Sequence, residues 1–90
     1  MGELRQNSAL NRFEVDTGRG LALAYYRLNN GVMTFTHTEV PSALRGRGIG
    51  SEMMRSVLRN VRQQGLKVVP RCLFAADFID RNPEFADLLA

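Results

Sequence analysis

The run RGRGIG at residues 45–50 limits the fold more than any other part of the sequence, because three of its six residues are glycine. Glycine within a helix costs about 1 kcal/mol relative to alanine, so such a cluster indicates a tight turn or a ligand that contacts the backbone. Strand-like alternation precedes the run and helical spacing follows it. N–H groups at a helix start are free to bind phosphate, and Arg45 and Arg47 add positive charge there. The run therefore predicts a phosphate-binding loop between a strand and a helix.

Three antiparallel strands are predicted before this loop. They are RFEVD (12–16), LALAYYRL (21–28) and VMTFTHTEV (32–40), which are rich in alternating, β-branched and aromatic residues. A TGRG turn separates the first two, and NNG contains the Asn-Gly pair favoured in tight hairpins. Alternation along the third strand predicts one face formed by Met33, Phe35, His37 and Glu39, and an opposite face formed by Val32, Thr34, Thr36, Thr38 and Val40.

A helix and a parallel strand are predicted after the loop. Apolar residues recur at helical spacing over 49–61, and Gly65 is placed to cap the helix C-terminus. LKVVPRCLF (66–74) indicates a fourth strand, which a right-handed crossover sets parallel to the third. AADFIDR predicts a short helix, and NPEFADLLA a second one with Asn82 as N-cap and Pro83 at its first position. The expected fold class is α/β (α+β), with an antiparallel three-strand meander, a glycine loop, a helix crossing to a parallel fourth strand, and C-terminal helices.

Length and composition indicate one globular domain over residues 1–90, with residues 1–10 as a candidate flexible segment. No apolar run approaches the roughly 20 residues that span a bilayer, and the polar start lacks the apolar centre of a secretion signal. We therefore expect a cytoplasmic protein with no membrane partner. One cysteine and one histidine are too few for a usual metal site, so no metal is expected. The net charge of +3 suits a polyanionic ligand.

The glycine loop matches one phosphate motif better than the others. A nucleotide P-loop needs Lys-Ser or Lys-Thr after its last glycine, where this chain has Ser51-Glu52. Residues 45–50 match Arg/Gln-x-x-Gly-x-Gly/Ala, which resembles the pyrophosphate loop of the GNAT superfamily of acetyl-CoA-dependent N-acetyltransferases. HTEVP before the loop, LKVVPRC after the helix and NPEFADLL near the end extend this resemblance over nearly the whole chain from about Arg12, and together they look like a minimal single-domain GNAT subfamily.

The resemblance implies acetyl-CoA or coenzyme A as the bound cofactor, with its pyrophosphate on the backbone N–H groups of 45–51. It also implies that the strands before the loop and after the helix part near Pro41 and Pro70, which leaves backbone groups of 38–40 free to bond the ligand. The expected cofactor-binding residues are Thr38, Val40, Arg45, Gly46, Arg47, Gly48, Ile49, Gly50, Ser51 and Asn82.

Three residues are candidates for the chemistry. His37 and Glu39 lie two residues apart on one strand, so either could accept the proton of an amine. Each also has a structural alternative, a hydrogen-bonded histidine or a salt-bridged glutamate. By resemblance, Cys72 lies beside the reactive end of the cofactor as a nucleophile, an aid to the acceptor or a packing residue. No tyrosine follows Cys72 to act as the general acid that many GNAT enzymes use.

The expected activity is acetyl transfer to an amine of a protein, a peptide or a polyamine. A non-catalytic acyl-CoA-binding domain stays open as an alternative while acid and base are unassigned. The other alternative is a small nucleic-acid-binding module, for which Arg55, Arg59 and Arg62 line one side of the helix, but no aromatic residues interleave with them.

Overall fold

Five β-strands and two α-helices make up the computed structural model, which describes residues 2–90. The strands are β1 (Leu4–Asn7), β2 (Arg12–Asp16), β3 (Leu21–Asn29), β4 (Val32–Glu39) and β5 (Lys67–Pro70). The α-helices are α1 (Ile49–Gln63) and α2 (Leu73–Arg81), and short 3₁₀ helices cover Ser8–Leu10, Ser42–Leu44 and Pro83–Leu88.

The strands form a single sheet in the order β1-β2-β3-β4-β5. Neighbours from β1 to β4 pair antiparallel, and β5 pairs parallel to β4 after the α1 crossover. The predicted meander and the parallel strand are therefore confirmed. Asn30 and Gly31, both at positive φ (51° and 77°), form the tight turn that joins β3 to β4.

The first strand, β1, was not predicted, and it lies in the segment 1–10 that the sequence marked as a candidate flexible segment. Its four residues pair with β2 from Leu4 opposite Val15 to Asn7 opposite Arg12. Leu4 packs against the core, and Arg5 binds the carboxylate of Glu14. The strand depends on its pairing with β2, and the short polar segment LRQN has neither the alternation nor the β-branched residues that would indicate a strand on its own.

One face of the sheet packs on the helices, and its side chains form a single core with α1 and α2. The buried members of this core are Phe13, Val15, Ala22, Ala24, Tyr26, Met33 and Phe35 from the sheet, Met53, Met54, Val57, Leu58 and Val61 from α1, and Val68, Ala75, Phe78, Ile79, Phe85 and Leu88 from the C-terminal part. We call the face of the sheet that packs on the helices the core face, and the opposite face the outer face. None of the helices described within residues 2–90 has both the length and the apolar character needed to cross a membrane.

Helix α1 ends as its sequence predicts. Gly65 adopts φ +72°, and its N–H donates to the carbonyl of Arg62 while the N–H of Leu66 donates to that of Val61. This pair of bonds is a Schellman motif, which satisfies carbonyls that the helix end would otherwise leave free.

The C-terminal elements differ from the prediction in two respects. The fourth predicted strand stops at Pro70, and Cys72 becomes the N-cap of α2. The last segment is a 3₁₀ helix rather than an α-helix, and Asn82 precedes it without a side-chain cap. The amide of Asn82 instead donates to the carbonyl of Phe78 and accepts from Arg55, so tertiary partners outcompete the local cap.

A buried carboxylate on the outer face ties β1 to β2. Glu14 is only 2% exposed, and its oxygens accept from the side chains of Arg5, Arg12 and Asn7. These bonds, those from Arg5 and Arg12 foremost, lower the pKa of the Glu14 carboxyl from 4.5 to about 2.

We expect the ionised Glu14 carboxylate to make the free energy of unfolding depend on pH in the acid range. Because its pKa is lower in the folded chain, its contribution is fully present above about pH 4.5 and is lost as pH falls toward 2. Chemical denaturation at several pH values should show the free energy of unfolding falling through this window, with a shallower fall in Glu14→Gln. Equal slopes for the two proteins would contradict this role of Glu14.

Candidate functional site

Strands β4 and β5 part halfway along β4. Their pairing runs from Val32 opposite Lys67 to Phe35 opposite Pro70, whereas β4 continues to pair with β3 as far as Glu39. Beyond Pro70, the N–H groups of Arg71 and Cys72 both donate to the carbonyl of Phe35, and the chain turns into α2. The expected parting is confirmed. From Thr36 onward, β4 has no strand partner on this edge within residues 2–90.

A cavity of about 510 Å³ lies where the strands part. It is bounded by the end of β4, the glycine loop, the first turn of α1 and one aromatic ring of α2. The lining residues are His37, Thr38, Glu39, Val40, Leu44, Arg45, Gly46, Gly48, Ile49, Gly50, Ser51 and Phe74. Ten of these were predicted from the sequence as catalytic or cofactor-binding residues, and Leu44 and Phe74 were not. Leu44 directly precedes the loop but is apolar, so no phosphate-binding motif marks it, and Phe74 is distant from the loop in the sequence.

Two of the three loop glycines are required by backbone conformation. Gly46 and Gly48 have φ of +80° and +77°, and no atom lies within 4 Å of a Cβ built on either one. Other residues rarely adopt this left-handed conformation, which here turns the chain from β4 into α1. The open space beside both glycines leaves the backbone accessible from the cavity.

Gly50 has a different function, which sequence reasoning missed. A Cβ on Gly50 would lie 2.8 Å from Cζ of Phe74, so its missing side chain is what allows α2 to approach the first turn of α1. The glycines of this run therefore have two roles: Gly46 and Gly48 shape the loop, and Gly50 allows the two helices to pack closely.

A run of unsatisfied N–H groups begins the helix. From Gly46 to Ser51, no N–H has an acceptor in the described part of the chain, and the first helical bond runs from Glu52 N–H to the carbonyl of Gly48. The N-cap Gly48 has no side chain to satisfy them. Arg45 differs from the expectation, because its N–H donates to the carbonyl of Ser42 at 3.4 Å. Arg45 and Arg47 are exposed, so positive charge and helix dipole coincide at this point.

A β-bulge in β4 overturns the predicted grouping of Phe35 with His37. Tyr26 lies opposite Phe35 and Tyr25 opposite His37, so Thr36 is an extra residue in β4. Directly paired residues share a face of the sheet. Beyond the bulge, His37 and Glu39 therefore point to the outer face and Thr38, opposite Ala24, points to the core face.

His37 and Glu39 nevertheless remain neighbours, as predicted. His37 Nε2 lies 3.7 Å from Glu39 Oε1, and the two side chains are 60% and 52% exposed. The ring of Tyr25 stacks on the imidazole with centroids 5.9 Å apart. Both candidate bases are therefore open to solvent at the edge of the cavity.

Cys72 lies on the core side of the same strand edge. Its half-buried thiol sulfur is 3.4 Å from Thr38 Oγ1, and it accepts from the N–H of Ala75 at the start of α2. Cys72 does not line the cavity, but Thr38 does. The Thr38 side chain therefore links the thiol to the cavity, because it contacts the sulfur and lines the cavity.

Two more predicted residues lie outside this cavity. Arg47 is exposed on the loop, and Asn82 lines a second cavity of about 360 Å³ that shares Ser51 and Phe74 with the first. Within residues 2–90, no three His, Cys, Asp or Glu side chains come close enough together to hold a metal ion.

Two of the three arginines that line one side of α1 bind other residues of the chain. Arg55 binds Asn82 and Glu84, and Arg62 binds Asp87 and the carbonyl of Glu84. Both guanidinium groups also lie over the ring of Phe85. These contacts attach the last 3₁₀ helix to α1, which accounts for two of the three arginines on which the nucleic-acid alternative depended.

Comparison with known proteins identifies the family. Residues 12–88 match the family model described as GCN5-related N-acetyl-transferase. Protein NATD1 of Homo sapiens is 33% identical over 61 residues, which are 68% of this chain and 54% of that protein. Protein NATD1 of Gallus gallus is also 33% identical over 61 residues, which cover 68% of this chain and 56% of that protein. The chain thus spans about half the length of the curated relatives it matches.

A solved structure has the same fold. It is the NMR solution structure of a GCN5-like candidate N-acetyltransferase from Staphylococcus aureus, which is similar to this chain with a TM-score of 0.75 and 27% identity. The match covers 98% of this chain and 87% of that one. Together with the family match over residues 12–88, this likeness shows that the chain belongs to the GCN5-related N-acetyltransferase family.

Proposed function

We propose that this chain is an acetyl-CoA-dependent N-acetyltransferase that acylates an amine. The observation that carries the proposal is the cavity where β4 parts from β5. It lies beside a run of six N–H groups, 46–51, that have no acceptor in the described chain, and five of these six residues line it. Unpaired backbone groups on a strand edge can bond amide groups, and unbonded N–H groups at a helix start can bond phosphate. Their closeness suits a ligand that has amide groups at one end and phosphates at the other.

The residues present fit coenzyme A. The N–H groups of 46–51 would hold the pyrophosphate, with charge from the side chains of Arg45 and Arg47. Backbone groups of Thr38, on the unpaired edge of β4, and of Val40, just after the end of the strand, would bond the amide-bearing arm. Asn82 would contribute from the adjoining cavity, although its amide already binds Phe78 and Arg55.

When bound, acetyl-CoA would supply the acetyl group as a thioester, whose C–S bond breaks as the N–C bond to the amine forms, so that coenzyme A leaves and its sulfur takes up a proton from solvent. An amine must lose its proton before it can attack, and His37 or Glu39 would accept that proton directly or through water. An N–H near Val40 would donate to the acyl oxygen as it gains negative charge. Since both candidate bases point to the outer face, the amine would approach from that side while the loop and Thr38 hold the cofactor.

The direct test is product analysis. The chain should be incubated with acetyl-CoA and a panel of a polyamine, a lysine peptide and a peptide with a free α-amine, and the products followed by mass spectrometry. Enzyme-dependent acetylation of at least one amine is expected. Tight coenzyme A binding without transfer to any of them would instead indicate a non-catalytic acyl-CoA-binding domain.

We expect the Cys72 thiol to react with iodoacetamide in the free chain and to be protected by coenzyme A. At a ligand concentration about ten times Kd, only about a tenth of the chain is free, so alkylation should slow about tenfold. Because Cys72 is the only cysteine, intact mass reports this thiol alone. A thiol that resists alkylation with and without ligand, together with full activity of Cys72→Ala, would make Cys72 a packing residue.

A further inference from the structure

Three side chains stand in a row across the outer face beside the cavity. Arg12, Tyr25 and His37 are directly paired on β2, β3 and β4. The Arg12 guanidinium lies 5.6 Å from the centroid of the Tyr25 ring, and the His37 ring stacks on that ring at 5.9 Å with an interplanar angle of 28°. Because β3 lies between β2 and β4, the phenol ring stands between the guanidinium and the imidazole.

The far end of the row is anchored. Arg12 Nε donates to Glu14 Oε2 at 2.7 Å, and its Nη1 donates to the hydroxyl of Tyr25 at 3.0 Å. Glu14 is held in turn by Arg5 and Asn7 of β1. The low pKa of Glu14 keeps this carboxylate ionised at any pH at which an amine is acetylated, so the anchor does not weaken there.

The near end of the row is the exposed His37. An imidazole with 60% of its surface in water would turn freely about its side-chain bonds unless a neighbour restricted it. Tyr25 provides a flat surface for it, and Arg12 fixes Tyr25 through both the hydroxyl and the ring face. A base that is held in one orientation is more effective than one that is not.

We propose that Glu14, Arg12 and Tyr25 are positioning residues, which together hold the imidazole of His37 beside Glu39 at the mouth of the cavity. The proposal rests on the proposed function for its catalytic consequence, but the positioning itself can be measured without activity. None of the three contacts the reacting atoms, and each acts through the next member of the row.

The first test is NMR of the imidazole, because His37 is the only histidine and its ring signals are unambiguous. Wild type should show nuclear Overhauser contacts between the His37 and Tyr25 rings. Tyr25→Leu should shift the His37 signals and increase ring mobility, and Tyr25→Phe, which keeps the ring but loses the bond to Arg12, should have a smaller effect. Tyr26→Phe is the matched control, because it removes a phenol hydroxyl bound by Gln6 on the core face. Unchanged His37 signals in Tyr25→Leu would overturn the proposal.

The second test is kinetic. Tyr25→Leu should lower kcat roughly tenfold and leave KM for acetyl-CoA unchanged, with a loss that is largest where the acceptor amine is protonated. Tyr25→Phe should recover most of the rate, and Tyr26→Phe should match wild type. A wild-type rate and pH profile in Tyr25→Leu would overturn the catalytic consequence. If wild type shows the NMR contacts but acetylates no amine, the proposed function fails and the positioning of His37 stands.

Discussion

Replacing Gly48 with leucine is expected to weaken coenzyme A binding by at least about a hundredfold. Gly48 holds φ +77° at the N-cap of α1, and relief of the strain at a leucine there would rotate neighbouring N–H groups away from the loop. Loss of two hydrogen bonds to a charged phosphate, at about 1.5–3 kcal/mol each, is enough for this change. Isothermal calorimetry with coenzyme A measures it directly.

Gly31→Leu is the matched control for this variant. Gly31 also has φ +77° and nothing within 4 Å of an added Cβ, but it lies in the β3–β4 turn at the opposite end of β4 from the cavity. Both variants should lose roughly 1–2 kcal/mol of folding stability, and only Gly48→Leu should lose affinity. Equal affinity for the two folded variants would mean that the cofactor lies elsewhere.

Removing the candidate bases is expected to have the other large effect. With a peptide α-amine as acceptor, Glu39→Gln or His37→Ala should lower kcat/KM about a hundredfold near pH 6.5. An α-amine has a pKa of about 8, so below that pH it must lose a proton at the site, and above it the free amine is already present. The loss should therefore shrink as pH rises past 8. Rates over pH 6–9.5 test this.

The control for the base variants is Asp80→Asn, which changes an exposed acid of α2 that does not line the main cavity. It should keep the wild-type rate at every pH. If the ratio of mutant to wild-type rate is the same across the pH range, the altered residue is not a proton acceptor. If only one of the two variants shows the pH-dependent loss, that residue is the base and the other is its neighbour.

Much of the fold could be predicted because its signals are local. The Asn30–Gly31 turn, the helical spacing of α1 and the Schellman glycine Gly65 each depend on a few consecutive residues. The glycine loop could be placed for the same reason, since a strand, a glycine run and a helix follow one another in the chain.

The rest could not be predicted because it depends on how separate segments of the chain pair and pack with one another. The bulge at Thr36 shows only in the pairing of β4 with β3, and it moves His37 and Glu39 to the face opposite Phe35. Strand β1 is defined by its pairing with β2. The need for glycine at position 50 comes from the Phe74 ring, which occupies the space where a Cβ would lie. The row of Arg12, Tyr25 and His37 follows from the bulge, so it was not visible in the sequence.

In the function that we propose, the loop at 46–51 and the free edge of β4 form one cofactor site. Titration of the ¹⁵N-labelled chain with coenzyme A, followed by amide chemical shifts, tests it most directly, since a 90-residue chain gives resolved spectra. We expect the largest shifts at the N–H groups of 46–51, followed by Thr38 and Val40. Shifts concentrated on β1 and β2, or no shifts at millimolar coenzyme A, would contradict the account.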